Sequence, residues 1–311
     1  MAPRASIIIR AFNEARHIGR LLDGIRGQSE QDVEIILVDS GSTDETVAIA
    51  QRHPVQVVTI RPEEFTFGRS LNVGIKQARG NWVVIASAHV YPVDELWLEK
   101  LLSPLQEPDV ALSYGAQRGA ETTQFSEHLH FHEWFPQESN PAQTHPFCNN
   151  ANAAIRRSLW QQRAYDETLP GLEDIAWASW AVQQGYKLAY RADAAVIHVH
   201  HERPRQIYNR YRREAMALKQ VLPRSKFGLR YFVSHFLRYA GSDLRAAWRQ
   251  GSLRRHFLAI LRFRLLQYWG TFRGYQHRGP LTQDLKQTFY YSPKELGPHR
   301  PSNSNAVVLN Q

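Results

Sequence analysis

Residues 5–60 read ASIIIRAFNEARHIGRLLDGIRGQSEQDVEIILVDSGSTDETVAIAQRHPVQVVTI, and this stretch decides the fold. It opens on an apolar, β-branched run over 5–9, the composition of a buried strand. Ile18, Leu21, Leu22 and Ile25 then recur at the spacing that places them on one face of a helix. A second apolar run, 33–38, ends at Asp39. Ser42 or Thr43 can cap the next helix, with Asp44 and Glu45 in its first turn. Residues 55–60 form a third run. Strands alternating with helices across short connections predict a mostly parallel α/β sheet. Such sheets bind ligands beyond the carboxyl ends of their strands. The loops Arg10–Glu14 and Asp39–Asp44, with the loop after the fourth strand, are therefore where function is expected. Asp39 can accept hydrogen bonds from a ribose or a base, or it can cap its own loop.

Further along, 63–80 carries Arg69 ahead of a helix that ends at Gly80. Arg69 can meet a phosphate as a bidentate donor, or stand solvated on its helix. The fourth strand, 81–86, runs into Ser87-Ala88-His89. Within 145–201 two acids, Glu173 and Asp174, precede a helix rich in Trp and Ala. Acids in a first turn are stabilised by the helix dipole, so capping is one reading of the pair. Trp177 and Trp180, three apart, can wall a sugar face or fill a core. In Ile197-His198-Val199-His200-His201 the alternation sends His198 and His200 to one face and His201 to the other. They are metal ligands or the polar end of a strand.

The net charge of +9 is not evenly spread. Residues 224–278 hold eleven arginines and one lysine against a single acid, Asp243, so the remainder is slightly acidic. One cysteine, Cys148, excludes an internal disulfide and a Cys-based zinc cluster and fits a reducing compartment. Residues 1–10 enter a strand at once, without a leader pattern, and no signal peptide is expected. No run of 18 apolar residues predicts a membrane span.

The stretches SIIIRAFNE, LVDSGSTDET, FGRSLNVGIKQARGNWVVIA and FCNNANAAIRRSLW…YDETLPGLEDIAWASWAVQQGYKLAY follow one another in that order. In this the chain resembles the inverting family 2 glycosyltransferases over residues 5–201, most closely the bacterial rhamnosyltransferase-like members. The resemblance implies the GT-A fold, a mixed, mostly parallel sheet flanked by helices. It implies a nucleotide-sugar donor held by Arg10, Phe12, Asn13, Glu14, Asp39, Ser40, Arg69, Ser87, Ala88 and His89. Asp174 becomes the base that deprotonates the acceptor hydroxyl, with Glu173 and Trp177 binding the acceptor.

One feature departs from the family. Its members usually carry an acidic motif after the fourth strand that holds Mg²⁺ or Mn²⁺. Here that place is Ser87-Ala88-His89, without a carboxylate. Mg²⁺ prefers oxygen ligands, whereas Mn²⁺ accepts imidazole more readily. Three readings stand: His89 binds Mn²⁺ with His198, His200 or His201, His200 being the second ligand expected; Arg69 or protonated His89 screens the diphosphate without metal; or the chain keeps the fold as a catalytically silent sugar-nucleotide or glycan binder.

The expected layout is a glycosyltransferase domain over 1–201, with its donor half about 1–95 and its acceptor half about 96–201. A basic amphipathic helical region over 202–291 and a loosely held tail over 292–311 follow. The resemblance implies a glycan or lipid-linked acceptor and a cytoplasmic site of action at the inner face of the membrane. Arginines interleaved with aromatics over 224–278 suit an anionic membrane surface, or a packed helical region whose arginines snorkel to solvent. No motif for specific nucleic-acid binding is recognised in that segment.

Overall fold

The computed structural model describes residues 2–291. Strands β1 (Ala5–Ala11), β2 (Val33–Asp39), β3 (Val55–Thr59) and β4 (Trp82–Ser87) alternate with helices α1 (Ile18–Arg26), α2 (Thr46–Ala50) and α3 (Phe67–Gln77). The chain continues through β5 (Val90–Pro92), α4 (Trp97–Leu102), β6 (Val110–Gly119), α5 (Phe125–Trp134), β7 (Asn140–Gln143), β8 (Asn152–Arg156), α6 (Arg157–Gln162), α7 (Glu173–Gln183) and β9 (Lys187–His198). Helices α8 (Pro204–Val221), α9 (Leu229–Arg249), α10 (Leu253–Gln276) and α11 (Gln283–Tyr290) complete it. The tail expected over 292–311 lies outside the described residues.

The sheet order is β3-β2-β1-β4-β8-β6-β9-β5, with β7 added to β9. The first four strands are parallel, β8 runs antiparallel to β4 and β6, and β9 runs parallel to β6. The sheet is thus mixed and mostly parallel. Alternate residues of β1 serve two cores. Ala5, Ile7 and Ile9 pack with α1 and α4, while Ile8 joins α3 and α7 on the other face. A strand covered on both faces needs an unbroken apolar run, which is what 5–9 shows.

Helix α2 starts at Thr46, later than its expected caps. Ser42 Oγ instead accepts the Asn13 N–H at 2.9 Å, and Asp44 Oδ1 accepts the Thr46 N–H at 3.0 Å. Short polar side chains have here bonded to nearby backbone in place of a cap. Between β6 and β9 the register breaks after Gly115. Asn152 repairs the ladder: its amide donates to Ala116 O at 3.1 Å and Ala194 O at 2.9 Å, and its carbonyl accepts the Trp97 Nε1–H at 2.9 Å. A Cβ on Gly115 would lie 2.0 Å from Ala194 O, so the break requires glycine.

The C-terminal helices fold back onto this frame. Gly270 and Gly274 let α10 approach the α8 backbone. Asp243 is buried and pairs with Arg264 at 2.7 Å. Helix α11 then ends beside the strand loops, with Tyr291 OH donating to Pro62 O and Tyr290 OH to Pro170 O, each at 3.1 Å.

Candidate active site

Register brings the separate loops together. Ala11 lies opposite Asp39 on β2, and Arg10 opposite Ser87 on β4. Ser87 N–H donates to Ala151 O at 3.2 Å, and the preceding Asn150 N–H donates to Asp174 Oδ2 at 3.1 Å. Leu172, in the left-handed region at φ 57°, turns the chain into α7 so that Glu173 and Asp174 open that helix. Glu173 Oε1 lies 3.5 Å from Arg10 Nη1 and accepts Asn150 Nδ2–H at 3.3 Å. Asp174 is 9% exposed. Burial, and then the neighbouring Glu173, push its carboxyl up to about 7. A carboxyl poised there can take a proton near neutral pH.

Asn72 fixes the segment leading to this helix. It accepts Trp160 Nε1–H and Tyr165 N–H, and donates to Tyr165 O and Glu167 Oε1, all within 3.0 Å. All four hydrogen-bonding positions of the amide are used. Nothing in the sequence marks Asn72 for this.

The donor-side residues sort into several roles. Asp39 is buried and its carboxylate accepts Gly41 N–H at 3.0 Å and Ser42 N–H at 3.1 Å, so it organises its own loop. Ser40 Oγ donates to Ala11 O at 3.2 Å. Asn13, at φ 55°, accepts Thr43 N–H at 2.8 Å and holds the two loops together. Phe12 meets the Tyr291 ring edge-on at 4.6 Å. Ala88 is fully buried, which leaves no side chain for the donor. Arg69 is already engaged by Glu167 at 3.3 Å and Glu64 at 3.5 Å. A diphosphate would compete with these two carboxylates for its guanidinium. The expected place of Trp177 at the acceptor is corrected. It is 1% exposed and donates Nε1–H to Arg163 O at 2.7 Å, so its indole fills core and leaves the acceptor surface.

The histidines converge. His89, His198 and His200 each offer a ring nitrogen within 4.8 Å of the others. Their Nδ1 atoms are all occupied: His89 by Glu14 Oε1 at 2.7 Å, His198 by Gln117 Oε1 at 2.6 Å, His200 by Glu127 Oε1 at 2.8 Å. Each ring thereby keeps Nε2 as its ligand atom, and His198 Nε2 and His200 Nε2 are 3.1 Å apart. Oxygens that accept from Nδ1 fix the tautomer of metal-binding histidines. Burial, then His200 and His89, hold His198 well below its usual range, so it stays neutral as a ligand must. Burial alone would raise the Glu127 carboxyl, but Arg210 and His200 overcome it and hold it at about 2. The set fits a divalent ion that accepts imidazole. His201 stands apart, stacked on His17 at 6.4 Å. Sequence alone missed His198's oxygen partner, although a buried Gln within the apolar β6 was a visible cue. Glu127 carried none.

The family model for glycosyl transferase family 2 matches residues 6–163. The chain belongs to glycosyltransferase family 2. The O-antigen chain rhamnosyltransferase WbaN of Salmonella anatum is 29% identical over 237 residues, 67% of this chain and 70% of that one. Its counterpart RfbN of Salmonella typhimurium is 25% identical over 220 residues, with the same coverage. Among solved structures, the mannosyltransferase PcManGT from Pyrobaculum calidifontis, in complex with GDP-Man and Mn²⁺, superposes with a TM-score of 0.59 at 20% identity. That match covers 93% of this chain and 88% of that one. The enzyme is a glycosyltransferase with the GT-A fold, and the C-terminal helices extend that frame.

Proposed function

We propose that this enzyme transfers a deoxyhexosyl or hexosyl unit, with inversion, from a nucleotide sugar to a hydroxyl of a cell-envelope polysaccharide precursor. The observation that carries the reading is Asp174, a buried carboxyl pushed up to about 7, two backbone steps from the Ser87 end of β4. Asp174 takes the proton of the acceptor O–H as that oxygen bonds to the anomeric carbon. The carbon–oxygen bond to the diphosphate breaks on the opposite face, and the nucleoside diphosphate leaves with the electron pair. One displacement inverts the configuration. Glu173, paired with Arg10, stands beside Asp174 and raises its carboxyl, which sustains its basicity. His89, His198 and His200 would hold a divalent ion, which supplies positive charge to the departing diphosphate. The similarity to O-antigen rhamnosyltransferases favours a rhamnosyl donor. The test is the product of dTDP-rhamnose, UDP- and GDP-sugars with an oligosaccharide acceptor. A glycoside of anomeric configuration opposite to the donor is expected by NMR. Retention would reject single displacement.

We also infer that α9 and α10 rest on an anionic membrane surface where lipid-linked acceptors reside, at the cytoplasmic face. Leu237 is 64% exposed, Trp248 70% and Leu258 77%, among arginines. The one acid of the segment, Asp243, is buried against Arg264 and offsets none of the surface charge. No helix among the described residues is long and apolar enough to cross a membrane. Apolar rings and leucines amid arginines are the composition of an interfacial helix. Removing residues 222 onward would uncover α8, which packs on α10, so the test uses point changes. Trp248→Asp with Leu258→Asp should lose co-sedimentation with phosphatidylglycerol vesicles while thermal stability holds. Unchanged sedimentation would reject the surface.

A further inference from the structure

Arg213 reaches the pocket from α8, beyond the segment that the family model covers. Its guanidinium carbon lies 4.7 Å from the centre of the Phe67 ring, and that of Arg10 lies at the same distance. The two cations are thus no farther apart than twice that length, on a shared aromatic support. Neither is satisfied. Arg10 Nη1 is buried without a hydrogen bond and meets one carboxylate, Glu173, at 3.5 Å. Arg213 Nε is buried without a hydrogen bond, and Arg213 forms no ion pair among the described residues. Gly171 lies alongside it, a Cβ there standing at an ordinary contact distance of 3.5 Å from Arg213 Nε. Tyr290, anchored through its hydroxyl to Pro170 O and packed against Phe67 at 5.4 Å, closes the side.

Two guanidiniums face the Glu173–Asp174 pair and keep unused N–H donors. A buried N–H without an acceptor is costly, and one beside the two acids gains when an anion arrives. Planar forks of N–H donors match phosphate oxygens. We propose that Arg10 and Arg213 form a phosphate subsite, with α8 supplying a charge that the first 163 residues lack. Its role in transfer rests on the glycosyltransferase reading, but its binding does not. The phosphate comes from one of two sources, the donor's departing diphosphate or a phosphate on the acceptor.

The test is calorimetry in EDTA, so that no metal contributes, on the full chain. Inorganic pyrophosphate is the first probe, followed by dTDP, thymidine and farnesyl diphosphate. Arg213→Met keeps an apolar stem on Phe67 and removes the charge, while Arg213→Lys keeps the charge and loses the fork. Pyrophosphate affinity should fall about tenfold or more in Arg213→Met and less in Arg213→Lys, and raised salt should weaken only the wild type appreciably. A parallel loss for dTDP, with thymidine unaffected, assigns the donor. A loss for farnesyl diphosphate, with dTDP unaffected, assigns the acceptor. Pyrophosphate affinity equal in wild type and a folded Arg213→Met, or absent from the wild type, overturns the subsite. Because no transfer is measured, this result stands or falls apart from the role of Asp174.

Discussion

Asp174→Asn is expected to lower the transfer rate by about 10²–10⁴ while leaving nucleotide-sugar affinity unchanged. The amide fits the same space, although its single oxygen can accept only one of the Asn150 and Ile175 N–H groups, which the carboxylate accepts on Oδ2 at 3.1 Å and Oδ1 at 2.8 Å. What it lacks is a site for the acceptor's proton. In the native enzyme the rate should climb as pH rises through about 7, where Asp174 ionises, and level off above. The linkage runs the same way for stability. A carboxyl raised in the fold is protonated there while the unfolded chain, titrating near the ordinary value of about 3.9, has already released its proton. Stability therefore declines with pH between that value and about 7, and changes no further above it for this group. Asp174→Asn removes this penalty. Thermal melts of the variant should therefore vary less with pH between about 4 and about 7 than those of the native protein.

The second large effect is on metal. Three imidazoles with oxygen acceptors behind them favour Mn²⁺, Co²⁺ or Zn²⁺ over Mg²⁺, which binds imidazole poorly and holds its water. Nucleoside diphosphate affinity should rise at least tenfold with Mn²⁺ and scarcely with Mg²⁺. His198→Ala should abolish the rise. Glu127→Gln, which weakens the support behind His200, should lower metal affinity by about 10–100-fold in equilibrium dialysis. Equal nucleotide affinity in EDTA and in Mn²⁺ would rule the triad out as a metal site.

Local pattern made much of this legible. The apolar runs of β1 and β2, buried on both faces, could be read from composition, and their loops located the mouth. Glu173 and Asp174 stood out as an acid pair before a helix. Long-range pairing hid the rest. Trp177 looks the same in sequence whether it faces a sugar or a core, and only the packing of α7 on the sheet decides. His198 joins His89 because β9 crosses beside β6 and pairs with β5, contacts separated by about a hundred residues of chain. Arg213 and Tyr291 approach from helices whose basic, aromatic composition spoke of a surface, while their part in walling the pocket depends on how α8 and α11 fold back.

On the proposed mechanism one buried carboxylate removes the acceptor's proton. Calorimetry and transfer kinetics on a single Asp174→Asn preparation at pH 8 test this most directly. Native donor affinity together with a rate lowered by at least about a hundredfold is expected. A rate within a few fold of native, at equal affinity, would contradict it.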